Sequence, residues 1–560
     1  MYMVEQVEKQ IAAAAARAAE KARAAGEFFY QELPEFVVEV PREKAHGDFA
    51  TNLGMALARE ARKPPRQIAE ALVRHVETEG TWISRVEVAG PGFINFTLDH
   101  RWLYQVLPQV VEKGEAYGRS DHGLGRRVQV EFVSANPTGL LHMGNARGAA
   151  LGDSIAALLD AVGYRVSREF YINDAGNQIL NFGKSLEARY LQLLGMDVPF
   201  PDEGYHGEDI IETMRGLVAE VGDRYVSLEP EVRRESLVKY ALQEKLSAIK
   251  EVLEQFGVHY DVWFSEQTLH DSGAVQRVIE ELRGKGYVYE KEGALWFKST
   301  TFGDEKDEVV VRSNGVPTYF AADIAYHRNK FQRGFDWVID IWGADHHGHV
   351  SRMKGAMAAL GYDPERLDVV LMQLVRLFQG GEVLRMSKRT GQYITLSELV
   401  EEVGVDAARY FFVMRSADSH LEFDLDLAKT QSADNPVYYV QYAHARICSI
   451  LRQAEEMGYI MPRVSEALLD LLGDPAELEL IRKIADFPGV VAGAAEALEP
   501  HRLTRYAQEL ATLFHAFYTN CRVLVQEDDL RGARMVLADA TRITLRNLLR
   551  IIGVTAPERM

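Results

Sequence analysis

The chain is short of cysteine, of positive charge and of long apolar runs. Its 560 residues hold two cysteines, Cys448 and Cys521, too few for a disulfide framework or a four-thiolate zinc site. They read as ordinary buried thiols of a protein of the reducing cytoplasm. No uninterrupted apolar stretch approaches the roughly 20 residues that span a bilayer, so no membrane partner is expected. The Ala-rich opening IAAAAARAAEKARAAG is flanked or interrupted by Glu5, Glu8 and Glu20. Targeting peptides are poor in acids, so it reads as a plain surface helix. Lys and Arg number 63 against 82 Asp and Glu, a net charge of −19. That excludes a protein that coats nucleic acid indiscriminately, because nonspecific affinity comes from neutralising phosphates. A selective nucleic-acid partner stays open, since residues 441–560 carry 14 Lys and Arg against 16 Asp and Glu and include the arginine-rich TRITLRNLLR. No internal repeat or low-complexity tract appears.

At 63.0 kDa and 47% hydrophobic residues the chain is too long for one core and suggests roughly three or four domains. Residues 1–112 mix helical stretches with short strands such as FVVEV and GFINFTL, an α+β pattern. After the polar, Gly-rich break EKGEAYGRSDHGLGRR the pattern becomes alternating strand and helix over 125–385. VQVEFV, YRVSREFYIND, WVIDIWGAD and DVVLMQLV are apolar runs of the length of buried parallel strands. This is the α/β, doubly wound Rossmann-type class, whose ligands sit at the carboxyl ends of the strands. A charge-rich, helix-periodic stretch from about 184 to 300 reads as an insertion between its two halves. Residues 386–435 read as a loop and helical connection. From Asn435-Pro436 onward, 436–560 reads as an all-α bundle.

Two distant segments carry the chemistry. EFVSANPTGLLHMGN (Glu131 to Asn145) runs from a strand through a Pro/Gly turn into a helix of small residues. Such a helix start offers unpaired N–H groups and a positive dipole end to a polyphosphate, with His142 and Asn145 in reach of its oxygens and Gly144 allowing close approach. LRMSKRTG (Leu384 to Gly391) is a short basic loop. Its Lys388, flanked by Met386 and Ser387, can meet charge that builds on a leaving pyrophosphate. Either segment alone is ordinary turn chemistry; the pair, in this order with βα-type chain between, reads as two halves of one ATP site.

The pair resembles the HIGH and KMSKS signatures of class I aminoacyl-tRNA synthetases, written here HMGN and RMSKR. Asn145 stands where the family has a second His, and can donate a hydrogen bond but carry no charge. Arg385 replaces the first lysine of the loop. SANPTG, YINDAGNQI, GVPTYFAADIAYH, IWGADHHGH, DAARYFF, the N-terminal HGDFATNLGMALA and GPGFINF, and Met560 together resemble bacterial-type arginyl-tRNA synthetase over essentially the whole chain. A guanidinium is a planar fork of five donors, so a selective pocket needs in-plane acceptors and an aromatic wall. Tyr319 and Asp323 lie four apart, compatible with one helix face. Spacing alone favours core packing for Tyr319 and a plain helix charge for Asp323; the motif reverses this. The resemblance implies that Tyr319, Asp323 and Glu266 bind the guanidinium, that Ser134 and Asn136 hold the α-amino end, and that WGADHHGH lines the ATP and arginine pocket. Its contributors would be Gly343, Asp345 and His346 toward ATP and His349 toward arginine, with the imidazole that meets adenine left open. Zinc is not expected, since adjacent His346 and His347 ligate one ion poorly from a strand end.

Phe93 and Asn95 are two apart, hence on one face of a strand. An aromatic that stacks a base beside an amide that reads its edge suits single-stranded RNA, while Phe93 in the core and Asn95 in a turn is an equal alternative. Tyr438, Tyr442 and Arg446 form a Tyr/Arg stripe at helix spacing, partly core or a stacking platform. The resemblance implies that 1–112 contacts the tRNA D-loop, 386–435 the acceptor stem and 436–560 the anticodon. It implies an arginine–tRNA ligase that forms arginyl-adenylate from L-arginine and Mg-ATP. The adenylate is then attacked by the terminal 2′-hydroxyl of tRNA(Arg), with tRNA needed in the first step, in a cytoplasmic monomer. Another class I ligase such as the cysteinyl enzyme would need zinc ligands that this chain lacks. An inactive RNA-binding paralogue would not need His142 and Lys388.

Overall fold

The computed structural model describes residues 2–41, 43–384 and 394–560. At the N-terminal end, β1 (Val38–Glu39), β2 (Phe49–Thr51), β3 (Ile83–Ala89) and β4 (Phe93–Leu98) form an antiparallel sheet in the order β1-β2-β4-β3. The expected strand FVVEV is reduced to the two residues of β1. In β4, Ile94, Phe96 and Leu98 are buried while Phe93, Asn95 and Thr97 are half-buried, the alternation of a strand covered on one face. The helices Met3–Ala24, Leu53–Ala61 and Pro65–His75 complete this layer.

The chain then lays down β5 (Arg127–Glu131), β6 (Arg165–Ile172) and β7 (Val262–Ser265). An antiparallel sheet of β8 (Val288–Lys291), β9 (Ala294–Phe297) and β10 (Glu308–Val311) follows, then β11 (Trp337–Gly343) and β12 (Leu367–Met372). The central sheet has the order β12-β11-β5-β6-β7 with every pair parallel. The first strand of this sheet in the chain, β5, is therefore the middle one. The chain winds outward through β6 and β7, then returns to β11 and β12 on the other side. Its direction reverses between β5 and β11, which opens a crevice beyond Glu131 and Gly343. The helix Met143–Ala161 covers this point, and a Cβ on Gly152 would overlap the Phe132 ring. Only glycine lets the helix lie that close to the segment after β5. Finally β13 (Val375–Gln379), β14 (Glu382–Leu384) and β15 (Leu421–Asp424) form a small sheet in the order β14-β13-β15.

The expected insertion over 184–300 needs correction, because β7 lies inside it and is hydrogen-bonded into the central sheet. What stands apart is a helical excursion before β7, with the helices Gly176–Leu193, Glu208–Val221 and Pro230–Gln255. It has its own core of Phe182, Leu186, Tyr190, Met214 and Leu237. A four-residue strand between charge-rich helices leaves too short an apolar run to stand out in the sequence. The stretch 394–435 likewise is not purely helical, since β15 belongs to it.

The C-terminal bundle is built on the helices Pro436–Glu456, Pro475–Glu496, His501–Asn520 and Asp528–Ile551, the first two of which start on side-chain caps. Asn435 caps the first through Val437 N–H, and Asp474 with Glu477 forms a capping box on the second. One apolar cluster runs continuously through the N-terminal layer, the helix Met143–Ala161 and this bundle. Polar ties reinforce it. The Tyr117 hydroxyl, within the presumed polar break, donates to the Ile484 carbonyl at 2.8 Å. Among the described residues, no helix is long and apolar enough to cross a membrane.

Candidate active site

β5 ends at Glu131, and the next turn is strained: Val133 and Ser134 have φ of 67° and 39°, a region costly for residues with a Cβ. Hydrogen bonds over-determine it. Ser134 Oγ donates to Glu131 Oε1 at 2.8 Å and accepts from Tyr171 N–H of β6 at 3.0 Å. Asn136 follows as an exposed loop residue. Further on, His142 is the N-cap of the helix Met143–Ala161. Its Nδ1 accepts from Gly144 N–H at 3.1 Å, and Asn145 Oδ1 accepts from His142 N–H at 3.0 Å. The neutral ring therefore carries its proton on Nε2, and Asn145 keeps its NH₂ end as donor. A helix N-terminus with two such donors is suited to phosphate oxygens.

Arg385, Met386, Ser387 and Lys388 lie outside the described residues. The chain re-enters at Ile394, and Thr395 forms an antiparallel bridge with His142 while Leu396 N–H donates to Leu141 O at 2.9 Å. The segment that follows RMSKR is thus bonded directly to the HMGN segment. On its other side Arg147, a fully buried residue of the same helix, ties down the segments that lead into β13 and β15. Its guanidinium donates to the carbonyls of Gln373, Ser416 and Ser419 at 2.6, 2.9 and 3.1 Å.

Tyr319 begins the helix Tyr319–Gln332, and Asp323 lies one turn on. Glu266, at 3% exposure, follows β7. Glu266 and Tyr319 line one cavity of about 250 Å³ together with Asn177, Gln267, His270 and Arg312. Pockets for drug-sized ligands run to roughly 300–1,000 Å³, so this one suits a smaller group. Asp323 Oδ2 is 3.0 Å from His349 Nε2. Burial pushes the Glu266 carboxyl above the usual carboxylate range, against the hydrogen bonds from His270 and Tyr171. Tyr171 is a residue that sequence reasoning did not assign. Burial, followed by the charges of Glu266 and Asp323, raises its hydroxyl well above the ordinary value, so it remains a neutral donor beside Glu266. The YINDAGNQI motif contains it, but nothing in a strand pattern indicates which member turns toward the pocket.

Beneath the pocket lies a buried polar network that sequence reasoning also missed. Lys330 Nζ sits 2.5 Å from Glu131 Oε2 and 2.6 Å from Asp340 Oδ1, and His327 Nε2 lies 2.7 Å from Asp340 Oδ2. Burial opposes the Lys330 charge, but Asp340 and Glu131 outweigh it and hold the ammonium above the ordinary lysine range. Burial would likewise raise Asp340, yet Lys330 and His327 hold it down to about 2. Glu131 is pushed up by its burial.

Gly343, the last residue of β11, is half-buried and Asp345 and His346 beyond it are exposed, while His349, in the helix that follows, is the member that contacts Asp323. Among the described residues no cluster is arranged to hold a metal ion. Phe93 and Asn95 share the half-buried face of β4, so neither is in the core and Asn95 is not in a turn. In the C-terminal bundle Tyr438 and Tyr442 are parallel at 7° with centroids 6.1 Å apart. Arg446 sits 5.6 Å over the Tyr442 ring and 4.2 Å over Tyr518. His515, also unassigned from sequence, extends this ladder at 6.0 Å from Tyr442. Cys521 is buried and Cys448 half-buried, and both are free thiols.

The chain matches three family models in succession. They are the arginyl tRNA synthetase N terminal domain over 5–98, the class I (R) tRNA synthetase catalytic domain over 106–195 and 217–442, and the DALR anticodon binding domain over 440–560. It is 69% identical over 560 residues to the arginine–tRNA ligase of Moorella thermoacetica, covering 100% of both chains. It is also 69% identical over 564 residues to that of Heliobacterium modesticaldum, again covering 100% of each. The arginyl-tRNA synthetase structure from Thermus thermophilus shares the fold, with a TM-score of 0.74 at 24% identity over 99% of this chain and 100% of that one.

Proposed function

Because the chain belongs to the class I arginyl-tRNA synthetase family, and is an arginine–tRNA ligase that activates L-arginine with ATP and charges tRNA, we propose how its residues divide that work. His142, Asn145 and Lys388 act on the phosphates, with Gly144, Met386 and Ser387 shaping the site and Gly343, Asp345 and His346 bordering the nucleotide. Tyr319, Asp323 and Glu266 receive the guanidinium, His349 orients Asp323, and Ser134 and Asn136 hold the α-amino end. The arginine carboxylate attacks the α-phosphorus and pyrophosphate leaves; the 2′-hydroxyl of the terminal adenosine then attacks the carbonyl of the adenylate. No side-chain nucleophile is needed, so catalysis is positioning and charge stabilisation. Magnesium travels with ATP and neutralises phosphate charge; zinc has no part.

The observation that carries this reading is the convergence of Glu266 and Tyr319 on one small cavity, with Asp323 a helical turn away. Two acidic acceptors and an aromatic wall are what a planar fork of donors requires. For the RNA, Phe93 and Asn95 in 1–112 meet the D-loop, 386–435 the acceptor stem, and Tyr438, Tyr442 and Arg446 in 436–560 the anticodon. The last is supported by the anticodon-binding family match over 440–560. The enzyme works in the cytoplasm, in keeping with its two free thiols, and as a monomer, carried over from the family. Neither an inactive paralogue nor a ligase for another amino acid is favoured, given relatives that are arginine ligases over their whole length.

ATP–pyrophosphate exchange tests the reading. Exchange is expected with arginine only when tRNA(Arg) is present, and not with lysine, whose single ammonium cannot satisfy acceptors laid out for a fork. Equal exchange with lysine would overturn the pocket assignment.

A further inference from the structure

We propose that His327 and Lys330 are positioning residues of the amino-acid pocket: through Asp340 and Glu131 they hold Ser134 and Asp323 in fixed register and so set the side-chain length accepted. This rests on the reading of Ser134 and Asp323 as opposite ends of the arginine site. From one end, Ser134 Oγ donates to Glu131 Oε1 at 2.8 Å, and Lys330 Nζ bridges Glu131 Oε2 and Asp340 Oδ1 at 2.5 and 2.6 Å. The path continues from Asp340 Oδ2 to His327 Nε2 at 2.7 Å, and from His327 Nδ1 to the Asp323 carbonyl at 2.8 Å. Each ring nitrogen of His327 faces an oxygen acceptor, which calls for a donor at both positions.

The path crosses the reversal point of the central sheet, from the end of β5 through β11 to the helix Tyr319–Gln332. Glu131, His327, Lys330 and Asp340 are all buried, at 7%, 2%, 0% and 0% exposure. Stability alone is a weak reason to keep such a cluster, because well-packed apolar groups often serve as well as a buried ion pair. Both ends of this one terminate on pocket residues. Arginine is a ligand with a polar group at each end, so a pocket that reads its length needs its two poles held rigidly apart.

The test uses the full-length enzyme with tRNA(Arg), comparing arginine with homoarginine, one methylene longer, in ATP–pyrophosphate exchange. One methylene is ordinarily discriminated by roughly 10–200-fold. His327→Gln is expected to raise the KM for arginine by about tenfold and lower the arginine-over-homoarginine preference by at least about fivefold, with the KM for ATP unchanged. A folded variant with the preference unaltered, whether activity is intact or equally reduced for both amino acids, would overturn the proposal. Should His327→Gln fail to fold, Glu131→Gln, which keeps a side-chain oxygen between Ser134 and Lys330, is read the same way. Failure of both to fold would assign the network to stability instead. Asp323→Asn separates the two levels: an unchanged arginine KM there sinks the pocket reading itself. A raised KM there with His327→Gln unaffected sinks only the positioning role.

Discussion

Burial holds the Glu266 carboxyl above the ordinary carboxylate range, with His270 and Tyr171 only partly restoring it. A group whose folded value is raised contributes stability below its unfolded value and loses that contribution as pH rises through the folded one. At neutral pH the free enzyme therefore holds Glu266 at a cost, which an incoming guanidinium would offset under the proposed assignment of this residue. Glu266→Gln should raise the melting temperature of the free protein at pH 7 while weakening arginine, by about 1.5–3 kcal/mol for a lost charge-assisted bond. In the native enzyme, arginine affinity should fall as pH is lowered toward the raised value, and the variant should lack that slope. Thermal unfolding and calorimetric titration read both effects. Arginine affinity equal to wild type would remove Glu266 from the pocket.

At the scale of elements, the helix Pro436–Glu456 presents the exposed Tyr442 between Tyr438 and Arg446. Stacking platforms contribute roughly 1–3 kcal/mol per base. Tyr442→Ala should weaken tRNA(Arg) binding by that amount and lower the melting temperature only slightly, since the residue is 38% exposed. Filter binding beside a melting curve separates the two, and undiminished tRNA binding would leave the ladder a packing feature. A second junction lies where the last helix ends. Gly553 has a φ of 67°, and a Cβ there would overlap the buried Arg409 guanidinium. Arg409 in turn donates to Asp153 at 2.6 Å and to the carbonyls of Ile552, Phe256 and Gly257 at 3.1–3.2 Å. Gly553→Ala should cost at least about 1–3 kcal/mol from the backbone alone, seen as a lowered melting temperature.

For the whole molecule, the continuous apolar cluster joining the N-terminal layer, the helix Met143–Ala161 and the C-terminal bundle decides how far the parts are modular. The Tyr104 hydroxyl donates to the Leu472 carbonyl at 2.5 Å and Tyr117 to Ile484. Removing 436–560 would uncover residues of the remaining chain that are buried against it, Tyr104, Tyr117 and Tyr410 among them. Large exposed apolar surfaces lead to aggregation. The truncated chain is thus expected to be insoluble or non-cooperative in unfolding, and not a catalytic body that merely fails to bind RNA. A soluble, cooperatively melting remainder would show that the bundle is docked rather than integral.

Local chemistry was legible in the residues. Four of the five parallel strands, the Asn435 helix start and the HMGN turn all depend on side chains within a few positions of one another, so periodicity and capping rules reach them. The doubly wound class followed from strand and helix alternation for the same reason. Tertiary structure alone decided the rest. It drew β7 out of the supposed insertion, joined Thr395 to His142 across the sequence, and assembled Glu131, His327, Lys330 and Asp340 into one buried path. It also carried Tyr117 from an apparent linker into the core. Each of these depends on partners tens to hundreds of positions apart, and a single sequence holds no local trace of a contact whose free energy comes from burial against a distant element.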